Sequence, residues 1–475
     1  MHLLFCLPTT ALSGGVKVIF ELANRLVDVG ESVDIFSFAG PPKWFPLKAN
    51  LIELKEIEAI DMAKYDFVLV SNAFLIPMVL PNPNTPRCIL FCQDYESFHH
   101  AQGKTYADFV SDCPTFTKIY ELPVPLIAIS RAVQSLILER VGRESFYLPM
   151  GINKAIFASR PRKPQTEFKR VLMVGNYLMP YKGMRDGIEA LSKLSTETPV
   201  QLVLVTQESR GRAIFNDLPF PIELHFCPTE DRMPAIIASC DVYCCTSWYE
   251  GLGLPALEAF RCGVPVVSTR TCGVSDYGLH EVNLLLARPN DPQDLYEKLR
   301  RVLRDDSLAE RLRQAAFETV EKDYDWETSV KAFTRILNEI VRTYHGAGVV
   351  NPQEMRKLLD NLEREGNLTP IAIFRRFQQL AEELRALNHK MLGEGSSRPE
   401  SLRQLQGLRD ELRFYLSNEN AEYYDAFKSK YDLCQLVLSL KDNARFGEYL
   451  KLILMRSKER EPRTTSSFSE IRYTN

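Results

Sequence analysis

In the stretch WYEGLGLPALEAFRCG, residues 248–263, two carboxylates flank a glycine-rich bend, Glu250 directly before it and Glu258 inside the helix that it opens. Gly251 and Gly253 let the backbone approach a ligand closely, and Pro255 suits the first helical position, where its missing N–H costs nothing. Exposed amides at a helix start present partial positive charge to an anion. The chemistry expected is capture of a diphosphate by Gly251, Leu252, Gly253 and Leu254. Glu250 would accept hydrogen bonds from hydroxyls in a cleft, and Glu258 from the two hydroxyls of a ribose, because a carboxylate only accepts. Each glutamate alone also fits a plainer role, Glu258 favouring the helix dipole and Glu250 solvated in a loop. The strand, the bend and the spacing together favour the ligand reading.

The elements that must position these residues are legible as alternating apolar runs and amphipathic stretches. LLFCLP, SVDIFSF, LIELKEI, YDFVLVS, RCILFCQ and VPLIAIS form one series, with a helix from about Val16 to Val29 after the first run. Short runs rich in Val, Ile, Leu and Phe, separated by helices, predict a parallel sheet covered on both faces. A second series, VLMVGN, VQLVLVT, IELHFCP, DVYCCTS, VPVVSTR and NLLLAR, comes after the linker-like ASRPRKPQTEFKR at 158–170. Two Rossmann-like α/β domains are therefore expected, 1–157 and 158–345, with the site between them at the carboxyl ends of their strands. Beyond Asp291 only helical periodicity remains, continuing from 351 to 460 as a charged helical extension with a Leu stripe at 402, 405, 408, 412 and 416. Residues 461–475 read as a disordered tail.

Composition excludes several classes. With 475 residues and 58 Lys+Arg against 61 Asp+Glu, the chain is long enough for two or three cores and too balanced in charge for a nucleic-acid binder. Its 11 cysteines are odd in number and lack a C-x-x-C pair, as in a reduced, cytoplasmic protein. The segment MHLLFCLPTT reads as a buried strand rather than a signal or membrane span.

The stretch from Glu250 to Glu258 resembles the E-x7-E signature of the retaining glycosyltransferases of family 4, and the chain to about 345 is similar to that family with its GT-B fold of two facing domains. The resemblance implies a nucleoside-diphosphate sugar as donor, with the first glutamate by the sugar, the second on the ribose and the bend on the diphosphate. TALSGGVKVIFELANRLVDVG resembles the family's glycine loop and puts Gly15 against donor phosphates. YLPMGINKAIF resembles its interdomain segment. VLMVGNYLMPYKGM resembles its G-R-x-x-x-x-K-G element and puts Lys182 near the diphosphate, with Asn176 where an arginine is common; Arg185 could substitute only if the helix face allows it. CILFCQDYESFHH has Gln93-Asp94-Tyr95-Glu96 where many members carry a histidine; it is similar to a stretch of some rhamnosyltransferases and leans toward a deoxysugar donor. Asp94 would orient the acceptor, or cap a helix. Glu250, Lys182 and Asp94 are the candidate catalytic residues.

No cofactor or metal is expected: the D-x-D at Asp323 to Asp325 precedes a helix, where Asp325 reads as its N-cap, and His99-His100 has no third ligand at metal spacing. The acceptor would be a glycan or lipid-linked hydroxyl, in polysaccharide or glycoconjugate synthesis. KSK and LKLILMRSKER in the extension suit a peripheral contact with the inner membrane face or a protein, or a helix packed on its own chain. The alternative reading is a non-catalytic GT-B-fold scaffold that recruits partners through that extension.

Overall fold

The structure is a computed structural model that describes residues 1–42, 44–52, 57–82, 87–100, 105–158, 167–208, 215, 217–344, 352–364, 383, 387 and 403–408. Most of the proline-rich linker, most of the helical extension with its basic stretches, and the tail at 461–475 lie outside the described residues. The chain divides into compact units, Met1–Leu368 and Thr369–Asn475. In the second, the described residues 403–408 are helical and bury Leu405 and Leu408, two positions of the expected Leu stripe.

Met1–Leu368 holds two parallel sheets. The first has seven strands in the order β3-β2-β1-β4-β5-β6-β7: β1 (His2–Leu7), β2 (Ser32–Ser37), β3 (Asn50–Ile52), β4 (Phe67–Val70), β5 (Arg87–Cys92), β6 (Leu126–Ala128) and β7 (Phe146–Tyr147). The second has six, β10-β9-β8-β11-β12-β13: β8 (Lys169–Val174), β9 (Val200–Thr206), β10 (Ile222–Phe226), β11 (Val242–Cys245), β12 (Val266–Thr269) and β13 (Leu285–Ala287). Every paired strand is parallel, and each expected apolar run supplies one. Strand β7 lies outside those runs, because two residues are too few to show an apolar period. Strand order reverses between β1 and β4 in one sheet and between β8 and β11 in the other, so each sheet has one switch point where a crevice opens at the carboxyl ends.

The covering helices are α1 (Gly14–Asp28), α2 (Ile76–Val79), α3 (Tyr106–Phe109), α4 (Pro114–Tyr120) and α5 (Arg131–Val141) in the first domain. In the second they are α6 (Met184–Ser195), α7 (Met233–Ala238), α8 (Leu254–Arg261), α9 (Pro292–Arg304) and α10 (Asp306–Asp323). The chain then returns. Helix α11 (Trp326–Thr343), which the sequence groups with the second domain, packs on α1, with Phe333 stacked at 6.3 Å on Phe5 of β1. Helix α12 (Pro352–Arg364) packs on α2 and α4 and buries Met355, Leu358 and Leu362. The turn into α11 is fixed by contact: a Cβ on Gly151, in the interdomain segment, would lie 2.4 Å from the Trp326 nitrogen. Asp325 caps α11, accepting from the Thr328 amide at 3.0 Å, as expected for an N-cap. No helix among the described residues is long and apolar enough to cross a membrane.

Candidate functional site

The bend at 250–254 comes after β11, the switch-point strand of the second sheet. Leu254 rather than Pro255 is the first residue of α8, and Gly253 caps the helix with a left-handed φ of 84° that disfavours any side chain. Pro255 therefore occupies the second helical position, where its missing N–H again breaks no bond. Two contacts hold the bend: the Glu250 carbonyl accepts from the Gly273 amide at 2.7 Å, and the Gly253 carbonyl from the Tyr277 hydroxyl at 3.1 Å. The amides of Leu252 and Gly253 donate to no protein acceptor among the described residues.

Lys182 meets Glu250 at this bend. Its Nζ lies 2.8 Å from Glu250 Oε1, which also accepts from the Ser247 hydroxyl at 2.6 Å. The pair is positioned through the backbone: the Lys182 carbonyl accepts from Thr246 Oγ1 at 2.6 Å and the Tyr181 carbonyl from the Trp248 amide at 2.7 Å. Gly183 explains the K-G of the sequence, because at φ 58° its Cβ would stand 2.0 Å from the Thr246 carbonyl oxygen. Burial acts against the Lys182 charge, and Glu250 more than offsets it, so the ammonium is held above the usual lysine range and stays protonated at neutral pH. Asn176 is buried and accepts from the Leu178 amide at 2.9 Å; it shapes the loop rather than facing a ligand as a charge. Arg185 is exposed to solvent on α6.

The first domain closes directly on the bend. A Cβ on Gly251 would lie 1.9 Å from the Gln93 carbonyl oxygen, and the Gly251 carbonyl accepts from the Ser130 hydroxyl at 2.7 Å. The Tyr95 amide donates to the Tyr249 hydroxyl at 2.7 Å. Gly15, at the start of α1, sits 3.0 Å, measured from its would-be Cβ, from Gln93 Oε1. Asp94 is thereby brought opposite the bend, and its carboxylate pairs with His99 Nε2 at 2.9 Å. Lys182, Glu250, Gly251, Gln93 and Asp94 are thus assembled in one place.

Glu258 stands in a second group. It is 6 % exposed, and its Oε1 lies 2.8 Å from Lys17 Nζ, whose ammonium is also 2.8 Å from Glu230 Oε1. Burial opposes the Lys17 charge, while Glu258 and Glu230 reverse that effect and raise it above the usual range. Burial also raises the Glu258 carboxyl against the pull of Lys17. Lys17 lies in α1 and both glutamates in the second domain, so the ammonium bridges the halves. The space beside it, lined by Lys17, Gly151, Leu254, Glu258 and Trp326, measures about 10 Å³, room for about one water.

Sequence reasoning does not reach Lys17, Glu230 and the role of His99. Lys17 stands two residues beyond Gly15, and His99 belongs to CILFCQDYESFHH, but their partners are set by the packing of one domain on the other, which no local pattern encodes. No group of three or more His, Cys, Asp or Glu that could hold a metal ion occurs among the described residues.

Known proteins share this architecture. The chain superposes on sucrose-phosphate synthase from Thermosynechococcus elongatus with a TM-score of 0.60 at 15% identity, covering 72% of this chain and 100% of that one. The fold is GT-B. Within it, residues 156–319 match the family model described as glycosyl transferases group 1, which covers the second sheet domain and the whole bend. An uncharacterized glycosyltransferase of Methanocaldococcus jannaschii is 24% identical over 218 residues, 45% of this chain and 59% of its own length. MMP alpha-(1->4)-mannosyltransferase of Mycolicibacterium hassiacum is 29% identical over 187 residues, 38% of this chain and 45% of its own length. The chain thus spans about half the length of the curated relatives it matches. The half of the GT-B fold that the family model matches is the one carrying Lys182, Glu250 and Glu258.

Proposed function

We propose that this chain is a retaining glycosyltransferase of family 4, moving a sugar from a nucleoside-diphosphate sugar to a hydroxyl of a glycan or lipid-linked acceptor in polysaccharide or glycoconjugate synthesis. The observation that carries the reading is the Lys182–Glu250 pair, 2.8 Å apart, set at a bend whose Leu252 and Gly253 amides have no protein acceptor among the described residues. Departure of the diphosphate builds negative charge on its oxygens, and preorganised amides with a lysine stabilise that charge where it develops. The acceptor hydroxyl attacks the anomeric carbon on the face the diphosphate leaves, and an oxygen of the leaving phosphate takes the hydroxyl proton. Glu250 holds Lys182 and accepts from hydroxyls of the transferred sugar, Glu258 takes the ribose, and Asp94 faces the acceptor.

The charge compensation in this reading comes from amides, the start of α8 and Lys182, so the reaction needs no divalent cation. Entry of the donor requires the domains to part, since Lys17 occupies Glu258 in the closed arrangement and little space remains beside it. The family match and the relatives' names support glycosyl transfer; they offer no support for the rhamnosyl lean, and the donor sugar is left open. A thermal-shift panel of nucleotide sugars tests the reading: the cognate donor raises Tm by mass action in the presence of EDTA. A panel that leaves Tm unchanged throughout, or a shift that demands a divalent cation, contradicts it.

A further inference from the structure

Beside the Lys182–Glu250 pair lies a set of rings that the transfer chemistry does not use. Phe109 of α3 stacks on Tyr181 across the domains, with centroids 5.3 Å apart and planes at 13°. His99 packs on the same Tyr181 at 4.7 Å, and Tyr106 meets Trp248 edge-on at 5.8 Å. Tyr106, Tyr181 and Trp248 are half-buried, and Trp248 is fixed by its Nε1, which donates to Asp186 at 2.8 Å.

Rings packed across a seam would be unremarkable if the seam were apolar throughout. It is not. Gln93 Oε1 and His99 Nδ1 are both buried without a hydrogen-bond partner, and buried polar atoms in native folds are almost always paired. His99 Nε2 is held by Asp94, so a neutral imidazole that donates there presents Nδ1 as an acceptor. Gln93 Oε1 lies against Gly15, whereas His99 Nδ1 is an acceptor on a ring packed against Tyr181, beside half-buried aromatics; that combination matches a pyranose ring, whose hydroxyls donate and whose C–H face stacks on aromatics.

We propose that His99, with the rings of Tyr106, Tyr181 and Trp248, forms the subsite for a pyranose ring of the acceptor, so that the acceptor presents a sugar residue to the site. The inference rests on the transfer reading and sharpens its substrate class. Tyr181 immediately precedes Lys182 in the chain, and only Tyr249 separates Trp248 from Glu250, so a ring seated on them sits next to the reacting centre. Glu258, buried with Lys17, serves the nucleotide instead.

The test uses the full chain saturated with whichever nucleoside diphosphate raises its Tm. It is titrated with methyl pyranosides of glucose, galactose, mannose and N-acetylglucosamine, with cyclohexanol and glycerol as controls, and read by tryptophan fluorescence and by saturation-transfer NMR. At least one pyranoside is expected to bind saturably and the controls not. Tyr181→Ala should weaken that binding by about fivefold or more, while Tyr181→Phe, which keeps the ring, stays near the unsubstituted chain. His99→Ala should weaken it by a similar factor, with His99→Gln restoring most of the loss because the amide supplies an acceptor. In each variant the nucleotide-induced rise in Tm is retained, which shows that the fold and the nucleotide site are intact. Absence of pyranoside binding while the nucleoside diphosphate still raises Tm overturns the subsite and leaves the transfer reading standing. If Tyr181→Ala instead weakens only the nucleotide sugar relative to its nucleoside diphosphate, the ring seated there belongs to the donor and the acceptor assignment is wrong. If no nucleotide stabilises the chain, both readings fall together.

Discussion

Apart from β7, which extends the first sheet, the two sheet domains share one strand order, and they differ in the turn that leaves the switch-point strand. After β4, at Phe67–Val70, the chain enters the short turn Ala73–Leu75 and then α2, four residues long. After β11, at Val242–Cys245, it makes the Glu250 bend with a left-handed Gly253 and enters the eight-residue α8. The scaffold is common, but among the described residues only the second half builds an amide-lined helix entrance at this turn, with a carboxylate on each side and Lys182 within reach. The first half contributes surfaces that close on it: Gln93 and Ser130 against Gly251, and Lys17 against Glu258. In the proposed reaction the groups on the diphosphate come from one domain, and the enclosure and the groups facing the acceptor from the other.

Substitutions in the two halves should separate these contributions. The largest effect is expected in the second domain, where Lys182→Met or Glu250→Ala should lower transfer by about 100-fold or more, since each removes part of a preorganised charge arrangement. Neither side chain fills a core, so circular dichroism should show the fold intact, while the partner left without its counter-charge should lower Tm modestly; full transfer by both variants would place the chemistry elsewhere. Next in size is Gly251→Ala. Its methyl group would stand 1.9 Å from the Gln93 carbonyl, so the domains cannot reach the closed contact. Transfer should fall with both domains still folded, and small-angle scattering should show a larger radius of gyration.

Lys17→Met bears on the contribution of the first domain. It leaves the buried Glu258 and the half-buried Glu230 side by side without their cation, a change that costs up to about 3 kcal/mol in comparable pairs and should appear as a lower denaturant midpoint. Glu258→Gln in the same background should recover part of the loss, and no recovery would show that the three groups are not coupled. The smallest effect concerns Glu96, buried behind Asp94, with its Oε1 accepting from the Ala73 amide at 2.7 Å. Burial first, and then the Asp94 charge, raise its carboxyl well above the ordinary 4.5. A folded-state pKa above the unfolded one means that the stability it contributes is fully present below about pH 4.5 and is lost as pH rises through the raised value. Glu96→Gln should therefore leave Tm unchanged in acid and raise it at pH 8; a Tm difference independent of pH would rule out this titration.

Much of this arrangement is legible in the amino-acid sequence. Twelve of the strands coincide with apolar runs, because strands covered on both faces are apolar at most positions and such runs stand out. The bend is legible because Gly251, Gly253 and Pro255 each have a backbone reason to be there, and Lys182-Gly183 because a left-handed glycine ends the loop. The rest lies in contacts of long sequence separation. Glu258 can be placed on a helix from its neighbours, but its pairing with Lys17, 241 residues away, depends on how the domains dock. Asn176 reads as a lost charge, whereas its amide oxygen binds the Leu178 amide two residues on and organises the loop before Lys182. The return of α11 to the first domain is equally hidden, since amphipathic periodicity shows that a helix has an apolar face without showing which domain covers it.

The most direct test of a diphosphate site at the bend is a crystal structure of the chain grown with its stabilising nucleotide sugar and EDTA. The expected density places the diphosphate oxygens on the amides of Leu252 to Leu254 and on Lys182, with the ribose hydroxyls on Glu258 after Lys17 has moved away. A nucleotide bound away from α8, or one that appears only when a divalent cation is supplied, would contradict the proposed site.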